Sequence, residues 1–87
     1  MAYTVHVRSS AAKEIRALPR PVQKRVGLAI DRLETTPHPR GAKSLAGHDN
    51  LYRLRIGDYR LVYEIREREV FVIVLRVRHR REAYRGL

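Results

Sequence analysis

The stretch "LYRLRIGDYRLVYEI", residues 51–65, constrains the chain more than any other. Apolar and polar residues alternate on both sides of Gly57-Asp58, a dipeptide suited to a two-residue hairpin turn with glycine first. In the register of such a turn, Ile56 faces Tyr59, Leu54 faces Leu61 and Tyr52 faces Tyr63. Those six side chains make one apolar face. The other face carries Arg53, Arg55 and Arg60, with Arg55 directly opposite Arg60. Like charges in opposed positions destabilise a sheet. An opposed arginine pair therefore points to an anion that neutralises it.

The charge balance agrees. Nineteen Lys and Arg oppose nine Asp and Glu, a net charge of +10 at neutral pH. Sixteen of the nineteen are Arg, and all ten beyond residue 50 are Arg. The guanidinium fork matches phosphate oxygens. The expected partner is polyanionic: a nucleic acid, an acidic protein, or both in turn. The lack of cysteine argues against a disulfide framework or a cysteine zinc site and fits an intracellular, cytoplasmic setting. No signal peptide is visible in "MAYTVHVRSS", and the longest apolar run, "VFVIVL" (70–75), is strand-sized, so no membrane association is expected.

Read in order, the chain begins with a strand, "YTVHV" (3–7). Ser9 or Ser10 can cap a short helix over 10–18, with Ala11, Ile15 and Leu18 on one face. "LPRP" (18–21) ends it, and Pro21 suits the first turn of a second helix that runs to about Thr36. Its apolar stripe is Val22, Val26, Ala29, Ile30 and Leu33. A Pro/Gly-rich connection (35–50) leads to the hairpin, 51–56 and 59–66, and "REREV" (66–70) turns into an apolar strand over 70–77. The tail, "RHRREAYRGL" (78–87), forms a short helix or an arm. The order β-α-α-β-β-β predicts an α+β fold. Two N-terminal helices pack on a small, mainly antiparallel four-stranded sheet in one domain over 1–87. Tyr3, Tyr52, Tyr59 and Tyr63 read mostly as core, and the arginine face stays open.

Two groups stand out for chemistry. Arg53, Arg55 and Arg60 form a phosphate clamp. The tail adds His79 as a titratable group, Arg78, Arg80 and Arg81 as cations, and Tyr84 for stacking or hydroxyl contacts. His6, His38 and His48 lack metal-ligand spacing, so no metal is expected. There is no Gly-rich phosphate loop and no nucleophile elbow.

"KSLAG", then "LYRLRIGDYRLVYEI", a Val/Ile strand and "HRREAYR" near the C-terminus resemble the RelE/ParE superfamily of type II toxin–antitoxin toxins, and within it the RelE branch. The resemblance spans essentially the whole chain, including "AAKEIRALP" (11–19). It implies mRNA cleavage in the ribosomal A site, without metal or other cofactor. It also implies an acidic, RelB-like antitoxin in a hetero-oligomeric complex. By position it assigns the strand cations to Arg53 and Arg55, the transition-state arginine to Arg60, and the C-terminal pair to Arg80 and Tyr84. Lys43, Arg78, Arg81 and Arg85 become further RNA contacts.

The best-known member of the branch has lysines at the strand positions, one of them suggested as general base. Arginine cannot serve as that base, because its pKa lies above about 12. His79 is the expected substitute, with Glu82 behind it and Glu64 as a further acid on the arginine face. Two other readings are a ParE-like gyrase poison that does not cut RNA and a non-enzymatic basic nucleic-acid-binding module. The full cationic set favours the nuclease.

Overall fold

A computed structural model describes residues 2–87. The hairpin has the register its alternation requires. Strands β3 (Leu51–Ile56) and β4 (Tyr59–Arg66) pair antiparallel, with Tyr52 opposite Tyr63, Leu54 opposite Leu61 and Arg55 opposite Arg60. Gly57 takes a φ of +59°, and a Cβ there would lie 3.1 Å from the Arg25 guanidinium. Glycine thus serves both the turn and the approach of Arg25.

Strand β5 (Phe71–His79) runs antiparallel to β4, and β1 (Thr4–Val7) adds to its far edge in parallel. A fifth strand, β2 (Lys43–Ser44), pairs with Arg53 and Tyr52 of β3. The sheet order is β1-β5-β4-β3-β2, one strand more than the sequence pattern predicts. At two residues, β2 is too short to show a period of two.

Helices α1 (Ser9–Arg16) and α2 (Arg20–Leu33) cover one face. Pro21 sits in the first turn of α2, as expected. Ser9 and Ser10 do not cap α1: both lie inside the helix, and the cap position falls on Arg8 without a side-chain bond. Gln23 Nε2 ties α2 to the end of α1 and the connection after it by donating to the carbonyls of Arg16 at 3.1 Å and Leu18 at 2.8 Å. Ala11, Val26 and Leu33 pack on Leu61, Tyr63, Ile65, Val72, Val74 and Val77. Full burial of side chains of this kind contributes roughly 1.5–3 kcal/mol each. The Tyr63 hydroxyl donates to the Pro37 carbonyl at 3.0 Å, pinning the connection to the core. Burial pushes its pKa up to about 12, so it remains a donor.

One irregularity decides what the outer face carries. Val62 pairs with Arg76, but Tyr63 pairs with Val74, so β5 holds one extra residue at Leu75. Val72 and Val74 point to the helices. Strict alternation would then drive Arg76 and Arg78 into the core. The bulge reverses the parity: Val77 enters the core, and both arginines turn to the outer face.

The tail is neither a helix nor a free arm. Residues 80–86 form successive turns that lie back on the outer face, where Ala83 is fully buried. The face expected to be open is therefore partly covered. Among the described residues, no helix is long and apolar enough to cross a membrane.

Candidate nucleic-acid interface

The pairings set the cations in two cross-strand rows. One row runs Arg55, Arg60, Arg78 across β3, β4 and β5. The next runs Lys43, Arg53, Val62, Arg76 from β2 to β5. Arg78, read from the sequence as an RNA contact, thus shares a row with the clamp. The signal was the parity conflict at Arg76 and Arg78 after Val72 and Val74.

Three devices relieve the repulsion in these rows. Arg60 is 8% exposed, and its Nη1 donates to the carbonyls of Gly57 (3.1 Å) and Tyr59 (3.0 Å). Arg78 is drawn aside by Glu14 of α1, whose Oε2 accepts from its Nε at 2.6 Å. Arg76 donates to carbonyls of the tail. Arg53 is half-buried, Arg55 and Lys43 are exposed, and none of the three has a carboxylate partner among the described residues. Glu64 pairs with Arg66 at 2.8 Å rather than with the clamp.

The tail residues divide. Arg80 lies past the end of β5, exposed, and its backbone N–H donates to the Asp58 carbonyl at 2.7 Å. The hairpin turn thus anchors both Arg60 and the start of the tail. Tyr84 is 39% exposed, and Arg81 and Arg85 are exposed. His79 does not join the arginine face. It pairs with Tyr59, which packs against the core, and its ring meets that of Tyr59 edge-on at 5.8 Å. Alternation therefore puts His79 on the side opposite Arg60 and Arg78. The Arg81 N–H also approaches its Nδ1 at 3.3 Å. A neutral ring accepting there carries its proton on Nε2. Neither nitrogen is then a free base facing the clamp. Glu82 reaches His79 through a backbone bond, N–H to the His79 carbonyl at 2.8 Å, and its side chain is not hydrogen-bonded to the imidazole.

A second cationic feature was not singled out in the sequence. A cleft of about 300 Å³ lies between α2 and β3, lined by Arg25, Arg32, Arg40 and Arg55 around Leu28, Leu54 and Ile56. Arg55 links it to the sheet face. Leu28, 60% exposed on α2, was the available signal, since it lies off the apolar stripe. Among the described residues, no group of three or more His, Asp or Glu could hold a metal ion.

Fold and face together define a small α+β protein with one strongly cationic sheet surface. A family model described as the ParE toxin of the type II toxin–antitoxin system parDE matches residues 5–84. A protein of Methanocaldococcus jannaschii named RelE1 is 30% identical over 89 residues, spanning 99% of each chain. A chain of the RelBE2 toxin–antitoxin complex of Mycobacterium tuberculosis has a TM-score of 0.79 at 30% identity, covering 91% of this chain and 99% of that one. The RelE–RelB complex of Pyrococcus horikoshii gives 0.79 at 29%, covering 92% and 97%. Isolated RelE toxin of E. coli gives 0.78 at 26%, covering 90% and 84%. The chain belongs to the RelE/ParE superfamily and is a toxin of a type II toxin–antitoxin system.

Proposed function

We propose that this toxin is a ribosome-dependent mRNA endoribonuclease that cleaves by attack of a 2′-hydroxyl on the adjacent phosphate. The observation that carries the reading is the row Arg55, Arg60, Arg78, flanked by Lys43 and Arg53 on the same sheet face. A phosphate laid across that row meets Arg55 and Arg60 together. Arg60 is already held by turn carbonyls through Nη1, so its remaining donors need little reorganisation.

As the 2′-oxygen attacks phosphorus, negative charge accumulates on the non-bridging oxygens, and the guanidinium donors take it. The 5′-oxygen leaves and takes a proton from solvent water, and a 2′,3′-cyclic phosphate remains. Arginine cannot accept the 2′-hydroxyl proton, and His79 faces the other way, so that proton passes to solvent water. The cationic field lowers the cost of the alkoxide as well as of the phosphorane. Arg80 and Tyr84 hold the nucleotide beside the scissile bond, and Lys43, Arg81 and Arg85 hold neighbouring phosphates.

The same face serves for inhibition in the cytoplasm. The RelE chains of P. horikoshii and E. coli are seen in complexes with RelB antitoxins. Here an acidic antitoxin segment neutralises the arginine face or displaces the tail, and its association weakens with salt.

The test is primer extension on a defined mRNA incubated with the purified chain, with and without programmed ribosomes. Cuts within codons that require the ribosome support the nuclease, and uncut mRNA overturns it. The ParE description of the matching family model favours one other reading, a gyrase poison. Gyrase-dependent DNA breaks with intact mRNA would select that reading.

A further inference from the structure

Arg76 lies on β5 at the bulge, opposite Val62. Its Nη1 donates to the carbonyl of Ala83 at 3.0 Å and to that of Arg85 at 2.7 Å. Those two carbonyls flank Tyr84. One guanidinium nitrogen thus fixes the backbone on both sides of the tyrosine. Ala83 is fully buried beneath the segment, while Tyr84 keeps 39% of its surface exposed. The other end of the segment is fixed by the bond from the Arg80 N–H to the Asp58 carbonyl.

Arg76 is costly to keep there. Burial, then the nearby charges of Arg78 and Arg8, pull its guanidinium below the ordinary arginine value, with Glu14 opposing. No carboxylate lies within salt-bridge distance of it among the described residues. Its hydrogen-bond partners are tail carbonyls. Bonds from an ionised donor are roughly twice as strong as neutral ones, so this one side chain carries much of the attachment of an otherwise exposed segment.

We infer that Arg76 is a positioning residue: through the carbonyls of Ala83 and Arg85 it holds Tyr84 at the arginine face, where RNA would bind. This rests on the nuclease reading. It does not require Arg76 to touch RNA.

The experiment is a double-mutant cycle on single-turnover cleavage of ribosome-bound mRNA, using the full chain as wild type, Arg76→Met, Tyr84→Ala and the double variant. A displacement of about 1 Å can cost on the order of 10²-fold in rate. Arg76→Met should therefore cleave about 10²-fold more slowly while binding ribosomes as well as the wild type does. The double variant should be no slower than Tyr84→Ala alone, because Arg76 acts through Tyr84. Arg76→Lys keeps a cationic donor and should recover most of the rate. Fully multiplicative losses, or wild-type cleavage by Arg76→Met, would overturn the role.

Amide hydrogen exchange at residues 83–87 is read in parallel. Loss of protection in Arg76→Met supports the attachment, and unchanged protection overturns it. If Arg76→Met does not fold, Arg76→Gln carries the same cycle. If the wild type cleaves nothing, the nuclease reading falls, and exchange alone decides whether Arg76 holds the segment.

Discussion

Arg60 folds back on Gly57, three residues earlier, and donates from Nη1 to its carbonyl at 3.1 Å. A second bond from the same nitrogen reaches the Tyr59 carbonyl at 3.0 Å. The hairpin turn thus holds one edge of the guanidinium. Among the described residues, no side-chain hydrogen bond uses its Nε or Nη2. A pair of donors fixed in this way suits a developing oxyanion.

Arg60→Ala should therefore lower cleavage by roughly 10²–10³, the usual cost of one oxyanion donor. The carbonyls left behind belong to exposed Gly57 and half-buried Tyr59 at the hairpin turn, within reach of water, so stability should fall by only about 1 kcal/mol. Arg60→Lys separates the two effects. A lysine retains a donor for the turn but loses the second edge of the fork, so it should fold like the wild type and still cleave slowly. Urea midpoints and single-turnover rates decide this. A folded Arg60→Ala variant with undiminished cleavage would remove the clamp from the mechanism.

The placement of His79 sets the expected pH dependence. The residue lies on the Tyr59 side of the sheet, and arginine cannot deprotonate near neutrality. With water taking the 2′-hydroxyl proton, log rate should rise steadily with pH, without the break that a side-chain base would impose. His79→Gln should lose less than about 10-fold, well short of the 10²–10⁴ typical of a positioned base. A break in the profile that disappears in His79→Gln would instead make His79 the base and require the strand end to rearrange on RNA binding.

The contrast between Arg60 and His79 marks what the sequence could reveal. The hairpin register follows from alternation around one turn, so the opposition of Arg55 and Arg60 was legible. The parity of β5 is subtler. Val72 and Val74 at even positions, followed by Arg76 and Arg78, cannot share a face without burying two charges. Only a bulge resolves that conflict, and it also carries His79 to the opposite side. Strand β2 and the folded-back tail were beyond reach for a different reason. Both are fixed by tertiary bonds, such as those from Arg76 to Ala83 and Arg85, that leave no local periodicity.

Glu14 should prove to be a structural residue despite its place beside the clamp. Its Oε1 accepts from the Val77 N–H at 3.0 Å, past the point where β1 stops pairing, and its Oε2 binds Arg78. Hydrogen bonds to a charged group contribute about 1.5–3 kcal/mol each, so Glu14→Ala should cost about that much or somewhat more, since it also exposes the Arg55, Arg60, Arg78 repulsion. Chemical denaturation measures the loss. A change below about 0.5 kcal/mol would mean that water satisfies Val77 equally well.

Glu67 gives the fold an acid-sensitive contact in the turn after β4, at the opposite end of that strand from Arg60. Its carboxylate accepts from the Tyr3 hydroxyl at 2.7 Å and meets His38 Nε2 at 2.8 Å. It thereby joins the segment ahead of β1, the connection after α2 and the turn between β4 and β5. The Tyr3 bond, then the His38 bond, holds its pKa below the ordinary carboxylate value of 4.5. A depressed carboxylate contributes stability that is fully present above the unfolded value and is lost as pH falls through the folded one. Wild-type stability should therefore decline more steeply below about pH 4.5 than that of Glu67→Gln, which has no such proton to take up. The same bond raises the Tyr3 hydroxyl above its ordinary value, so its contribution is lost as pH rises beyond about 10. Tyr3→Phe should accordingly flatten the alkaline limb and part of the acid limb. Urea midpoints across both ranges test the pair: if the wild type and Glu67→Gln decline in parallel through the acid limb, Glu67 makes no linked contribution and the contact is ornamental to stability.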